Sequence, residues 1–338
     1  MNSAHSSAPK NSQPSSAEEG SSSHSVAVPP SSLDLWTNFL FRGACQLFAW
    51  LTIALLAFIV ILLVVKAKAA VEDYGLGLLI GTTWNPNSDP PKYGILPQIW
   101  GTLYSSLLAL GIAGFFGISI AIYLTQDFLP TWLEWLFKNI IELLAAIPSV
   151  VYGLWGIFVV IPFIKPACNW LHESFGWFPL FSTSLIGPGM FPATLVLAIM
   201  ILPTVTAVSR DALVSVPTKI REAAFGLGAT RWEVILKVIL PTAGTGIFGA
   251  LVLGLGRALG ETMALAMLVG SSNKLSWSLF SPADTLAALL ANNFNEAGEV
   301  EVGVLLYAAL VLMAITLSVN MAGTALVRRA LANLEGTK

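Results

Sequence analysis

Two residues stand out because they carry charge where charge is expensive. In GRALGETMALAMLVG, Arg257 and Glu261 interrupt an apolar run four residues apart, which on a continuous helix puts them on one face. On an exposed helix such a pair contributes only about 0.3–0.5 kcal/mol. At the centre of a membrane each ion costs about 2.5–3.5 kcal/mol on insertion scales. The second figure dominates, so the pair is expected to face the interior of a helix bundle or an aqueous path. Two roles stay open: an ion pair that locks helix packing, or a polar element of a translocation path. A guanidinium offers an oxyanion a bidentate fork, and a carboxylate can hold the guanidinium or accept a bond from a protonated oxygen. No catalytic constellation accompanies the pair: the chain contains no H-E-x-x-H, G-x-S-x-G or Cys/His cluster. No cofactor or metal is expected.

A second constellation is mechanical. The segment SVPTKIREAAFGLGATRWEVILKVILP, ending at Pro241, reads as two short helices joined by a turn. Pro217 suits a first helical turn, where its missing N–H has no partner to lose. Ala223 and Ala224 favour helix, and Gly228 suits the left-handed position just past a helix end. Thr230 and Glu233 form a T-x-x-E capping box for the second helix. An amphipathic connector lying on lipid headgroups would not need so specific a pattern, with small residues for close approach, a glycine for the turn and a proline at the entry to the next span.

This pattern resembles the cytoplasmic motif of ABC importer permeases, E-A-A-x3-G-x9-I-x-L-P. Here it is met by Glu222, Ala223, Ala224, Gly228, Leu240 and Pro241, with Val238 where the family has Ile. The resemblance implies that the loop at 210–241 docks into a cleft of a cytoplasmic ATPase and transmits its closure to the membrane helices. ELLAAIPSVVYGLWG (142–156), GRALGETMA (256–264) and GTLYSSLLAL (101–110) further resemble the PstC-type permeases of bacterial phosphate importers, as does the region from Trp84 to Pro97. The likeness runs from about residue 75 to the C-terminus. It implies an all-α membrane protein of type I ABC importer permease (MetI-like) architecture that carries inorganic phosphate. The implied partners are a PstA-type sister permease, two PstB-type ATPase subunits and a periplasmic or lipid-anchored phosphate-binding protein. The family's charged pair carries over onto Arg257 and Glu261. Glu142 also falls in a matched segment, at the edge of its span, where capping or snorkelling explains it equally well. Arg257 alone does not separate phosphate from sulfate or molybdate, nor this permease from its sister. A secondary transporter or channel would have no use for the Glu222–Pro241 motif.

The elements that must position these residues are membrane helices. Hydrophobic residues make up 55% of the 338 positions and charged residues 11%, against about 25% charged in an average soluble domain. Apolar runs of about 20 residues match a bilayer core at 1.5 Å rise per residue. Spans are expected at about 43–65, 100–124, 136–163, 187–209, 243–270 and 303–327. Pro148 and Pro162 should kink and end the third. Glycines at 244, 246, 249, 254, 256 and 260 require the fifth to pack against another helix, which the sequence does not identify. Residues 36–338 form the permease domain behind a Ser/Pro-rich tail, 1–35, expected to be disordered. The run from Ala44 to Val65 is too long for a signal-peptide core, so it is read as a retained span.

Basic residues favour a cytoplasmic N-terminus and C-terminus in the cell (inner) membrane. Arg42, Lys138, Arg210, Lys219, Arg221, Arg231, Lys237, Arg328 and Arg329 flank one side, while Lys66, Lys68, Lys92, Lys165 and Lys274 lie on the other. Outer loops are expected at 66–99, 164–186 and 271–302, with their tryptophans anchoring at the interface. Cys45 and Cys168 should lie on opposite sides, with no disulfide. The net charge of −2 and the lack of a basic stripe give no support to a nucleic-acid partner. The chain has no G-x-x-x-x-G-K-[ST], so ATP hydrolysis falls to a partner.

Overall fold

The computed structural model describes residues 32–126 and 128–335, so the expected tail, up to residue 31, lies outside the described residues. Everything described is helix or connection apart from a single bridge between Asn85 and Lys92. Helix α1 runs over Ser32–Tyr74, longer than the expected first span because no helix breaker intervenes before Gly75. Its part up to Phe58 forms one unit, with apolar side chains on all sides of the helix, and the chain from Ile59 onward forms a second. All that follows concerns the second unit.

A short α2 (Gly77–Ile80) leads to α3 (Leu96–Thr125), which matches the expected second span. The third span differs. Helix α4 (Thr131–Ala146) stops at Ile147–Pro148, where Pro148 is extended, and a new span begins at α5 (Ser149–Trp155). It continues through a π turn (Gly156–Val160) into α6 (Ile161–Phe175). The crossing is thus 149–175, not 136–163, and Pro162 lies within it. A proline removes one N–H and crowds the carbonyl four residues back; the wide turn absorbs this, with Ile161 N–H bonding the carbonyl of Gly156 five residues earlier. Cys168 is therefore buried in α6 and not in an outer loop, and both cysteines are free.

Helix α7 (Met190–Val214) is the most buried span. It is followed by α8 (Thr218–Gly226), α9 (Arg231–Val234), a π turn (Ile235–Ile239) and α10 (Leu240–Thr242). The second π turn again precedes a proline, Pro241. After a bend of 67° comes α11 (Gly244–Leu259). This helix ends there, and α12 (Met263–Leu268) is a separate piece. Helices α13 (Leu286–Asn293) and α14 (Glu299–Glu335) complete the chain. Among the described residues, five helices are long and apolar enough to cross a membrane, six with the bent pair around Ala243.

The glycines of α11 find their partners in α3, α7 and α14. A Cβ on Gly254 would come within 2.8 Å of Val205, and one on Gly246 within 2.5 Å of Ala212. From the other side, a Cβ on Gly323 of α14 would meet Val252. Small residues let backbones approach closely where lipid offers no hydrophobic drive to associate.

The expected outer loop 271–302 is an ordered clamp on the start of α3. Gln98, fully buried, donates from its amide nitrogen to Asn273 and, at 3.4 Å, to Asp284. Trp100 Nε1 donates to the Ser276 carbonyl and Tyr104 Oη to that of Trp277. Thr102 Oγ1 accepts from Leu286 N–H, and a side chain at Gly101 would run into the Asp284 carbonyl. Asp284 is only 4% exposed, and burial pushes its carboxyl up to about 6 against the bonds it accepts from Thr285 N–H and Gln98.

Candidate functional site

The pair singled out in the sequence is not a pair in space. The helix carrying Arg257 ends at Leu259, so Glu261 falls in the break and the two do not share a helical face. No ion pair joins them: Arg257 Nη1 donates to Thr204 Oγ1 at 3.2 Å, and Glu261 Oε1 accepts from Ala264 N–H at 3.4 Å, at the start of α12. The break has a tertiary cause. Helix α12 lies against the glycines of the third crossing, where a Cβ on Gly153 would be 2.7 Å from Met267 and one on Gly156 2.7 Å from Leu268. Gly260 and the bond from Thr262 Oγ1 to its carbonyl make the local turn. A straight continuation of α11 would forfeit that seat.

Arg257 instead opens onto a cavity of about 800 Å³ between α7, α11 and α14. Its polar lining is Thr204, Arg257, Asn320, Thr324 and Arg328; its floor is thinned by Gly249 and Gly256, and the Asn320 amide lies 3.0 Å from where a Gly256 Cβ would be. No acidic side chain among the described residues lines it. A guanidinium held by one neutral hydroxyl keeps most of its five donors free for an anion. The polar strip on α14 was not anticipated. Its signal is present in the sequence as Asn320, Thr324 and Arg328 at successive spacings of four, one face of an otherwise apolar helix.

The inner hairpin follows local rules closely. Helix α8 ends with Gly228 at φ +82°, Gly228 N–H bonded to Phe225 O (2.9 Å) and Ala229 N–H to Ala224 O (3.2 Å), the paired bonds that close a helix end through a left-handed residue. The capping box is complete: Thr230 N–H donates to Glu233 Oε2 at 3.0 Å, and Glu233 N–H to Thr230 Oγ1 at 3.4 Å. Pro217 sits at the cap just before α8, one position earlier than the first turn. Ala224 and Leu240 pack against a buried cluster that includes Leu213, Val234, Ile235 and Ile239, and Val238 is half-buried. Glu222, Ala223, Gly228 and Pro241 face outward. Leu227, at 90% exposed, and the half-exposed Phe225 give the hairpin an apolar tip.

Two arginines tie the hairpin to the spans. Arg221 Nη2 donates to the Leu213 carbonyl of α7 at 3.2 Å. The Arg231 guanidinium donates to the Gln126 carbonyl just past α3 and lies 4.2 Å over the Phe128 ring, against which Trp232 also packs. Arg221 thus joins α8 to α7, and Arg231 joins α9 to the chain just past α3.

Residues 113–331 match the family described as the binding-protein-dependent transport system inner membrane component. The chain is 43% identical over 289 residues to the phosphate transport system permease protein PstC of Haemophilus influenzae, covering 83% of this chain and 90% of that one. It is 42% identical over 309 residues to the protein of the same name from Pasteurella multocida, covering 89% and 94%. Among solved structures, a chain of a bacterial alginate ABC transporter aligns with a TM-score of 0.57 at 18% identity over 87% of this chain and 97% of that one. A chain of the inward-facing MetNI methionine ABC transporter aligns with a TM-score of 0.53 at 19% identity over 70% and 95%. At such identities these two speak to the fold alone, which is that of an ABC importer permease. The chain belongs to the binding-protein-dependent transport system inner membrane components and, within them, to the PstC-type permeases.

Proposed function

We propose that this chain is one half of the membrane path of an ATP-driven importer of inorganic phosphate, coupled to a cytoplasmic ATPase through the hairpin from Pro217 to Pro241. The observation that carries the reading is closeness along the chain: α11 follows Pro241, at the end of the hairpin, after a bend of 67° and carries Arg257, which opens onto a cavity without acidic lining among the described residues. One bent pair of helices thus links the surface a motor would push to the cation an oxyanion would meet. The names of the PstC relatives supply the cargo.

In this reading Glu222, Ala223, Gly228 and the apolar tip at Phe225 and Leu227 enter the ATPase cleft, while Ala224, Val238, Leu240 and Pro241 join the hairpin to the spans. Arg257 contacts the anion through its free donors. Glu261, in the break just beyond, completes the polar element of the path. A PstA-type sister permease faces this chain, two PstB-type ATPases lie below, and a phosphate-binding protein delivers cargo from outside. The Arg and Lys bias puts both termini in the cytoplasm.

The test is uptake of labelled phosphate into vesicles carrying the full set of subunits, with ATP inside or absent, competed by sulfate and molybdate. ATP-dependent uptake displaced only by phosphate is expected. Uptake unchanged without ATP, or displaced equally by sulfate, would overturn the reading.

A further inference from the structure

The cavity holds a second cation that the transport reading does not use. Arg328 lines it, makes no bond or ion pair among the described residues, and shares it with no carboxylate. Helices α11 and α14 run antiparallel along it: Gly256 meets Asn320, Val252 meets Gly323, and Gly244 and Phe248 share a smaller recess with Leu326 and Val327. Arg257 is thus level with Asn320, whereas Arg328 lies two turns further toward the hairpin end, about 12 Å at 1.5 Å per residue. Asn320, Thr324 and Arg328 share the face of α14 between those levels.

The bland account of Arg328 is a basic residue at the inner end of a span. That account fits Arg329, which has no place in the cavity lining. It gives no reason for a strip of Asn, Thr and Arg to continue the lining that begins at Arg257. An anion leaving a lone guanidinium through an apolar cavity would give up its only counter-charge in a medium of low dielectric. A second cation along the way lowers that barrier, and two modest sites let an ion leave where a single strong one would hold it.

We propose that Arg328, with Asn320 and Thr324, forms a second oxyanion station on the inner side of the cavity, which receives phosphate from Arg257 before release. The proposal rests on the transport reading above and adds the release step. The chemistry recognised is a tetrahedral phosphate oxyanion, which a lipid headgroup could also present, so the experiment separates the two sources.

The full complex is reconstituted in vesicles of phosphatidylcholine alone and of phosphatidylcholine with phosphatidylglycerol. Labelled phosphate delivered per ATP hydrolysed is measured for the unaltered protein, Arg328→Gln, Arg328→Lys, Asn320→Leu and Arg329→Gln. Arg328→Gln is expected to lower phosphate delivered per ATP about tenfold in both lipid mixtures, with half-saturation by the loaded binding protein unchanged. Arg328→Lys should recover much of the loss, Asn320→Leu should show a smaller one, and Arg329→Gln none. Should Arg328→Gln fail to assemble, Arg328→Lys and Asn320→Leu carry the same ordering against Arg329→Gln. A defect seen only with phosphatidylglycerol assigns Arg328 to a lipid headgroup and overturns the station, as does an equal defect in Arg329→Gln or undiminished delivery by Arg328→Gln and Asn320→Leu. Failure of the unaltered complex to take up phosphate with ATP would instead overturn the transport reading beneath it.

Discussion

The inner hairpin and the broken fifth span sit on one stretch of chain, with Pro241 and Arg257 sixteen residues apart, yet they obey different rules. In the hairpin the expected devices are present, with Pro217 alone displaced by one position to the cap: the left-handed Gly228, the complete Thr230–Glu233 box and the proline before α11. Each is satisfied by atoms a few residues away, so distant contacts have little say. In the fifth span the same kind of local reading, a spacing of four on a helix, predicts a face that does not exist. Leu259 ends the helix because α12 gains its seat against Gly153 and Gly156, some hundred residues earlier in the chain. Motifs whose partners are local survive folding, and periodicities survive only while the helix does.

The largest effect expected from this contrast is at Arg257. Arg257→Ala should reduce phosphate uptake on the order of 100-fold with the complex still assembled, whereas Glu261→Gln should reduce it far less, because a glutamine oxygen can still accept from Ala264 N–H. Equal losses in the two variants would restore the pair as a functional unit and break the comparison. Next comes Gly228→Val. No atom lies within 4 Å of a Cβ there, so the penalty is purely the left-handed backbone, about 1–2 kcal/mol. Retention of the ATPase on co-purification should fall about tenfold. Normal retention would show that the turn's conformation is dispensable for docking.

Thr230→Ala should be milder, costing about 1 kcal/mol of cap energy. It should appear as faster hydrogen exchange over 230–235 with the spans unaffected. Exchange spreading into α3 would mean instead that the hairpin's anchorage through Arg231 depends on the cap. The smallest effect concerns the outer clamp. Burial raises the folded Asp284 carboxyl to about 6, above its ordinary value, so its contribution to stability is complete below about pH 4 and is lost as the pH rises through about 6. Protease protection of the 271–286 segment should be greater at pH 5 than at pH 7.5, and Asp284→Asn should flatten that difference. A pH dependence retained by Asp284→Asn would assign it to another group.

Much of the molecule is legible in the residues because lipid allows few solutions. Long apolar runs must be helices that satisfy their own backbone, and α3, α7 and α14 lie where the runs lie. The third crossing is less legible, since the apolar run continues across Pro148 and composition cannot say on which side of it the membrane begins. Glycine spacing indicated close packing of α11 without naming α7 and α14 as partners. At the candidate site Arg257 was visible as an expensive charge. Arg328 was not, because at a helix end it looks like an ordinary basic flank.

By itself, then, the sequence determined the helical membrane class, the hairpin with its caps and left-handed glycine, and the presence of an arginine that must avoid lipid. Those follow from chemistry closed within a turn or two of chain, or from the cost of charge in hydrocarbon. Only the tertiary structure decided that Glu261 leaves the face of Arg257, that Arg221 and Arg231 bind the hairpin to α7 and α3, and that Arg328 shares a cavity with Arg257. Each of these depends on which helices touch, and contacts between residues far apart in the chain leave no spacing in the sequence to read.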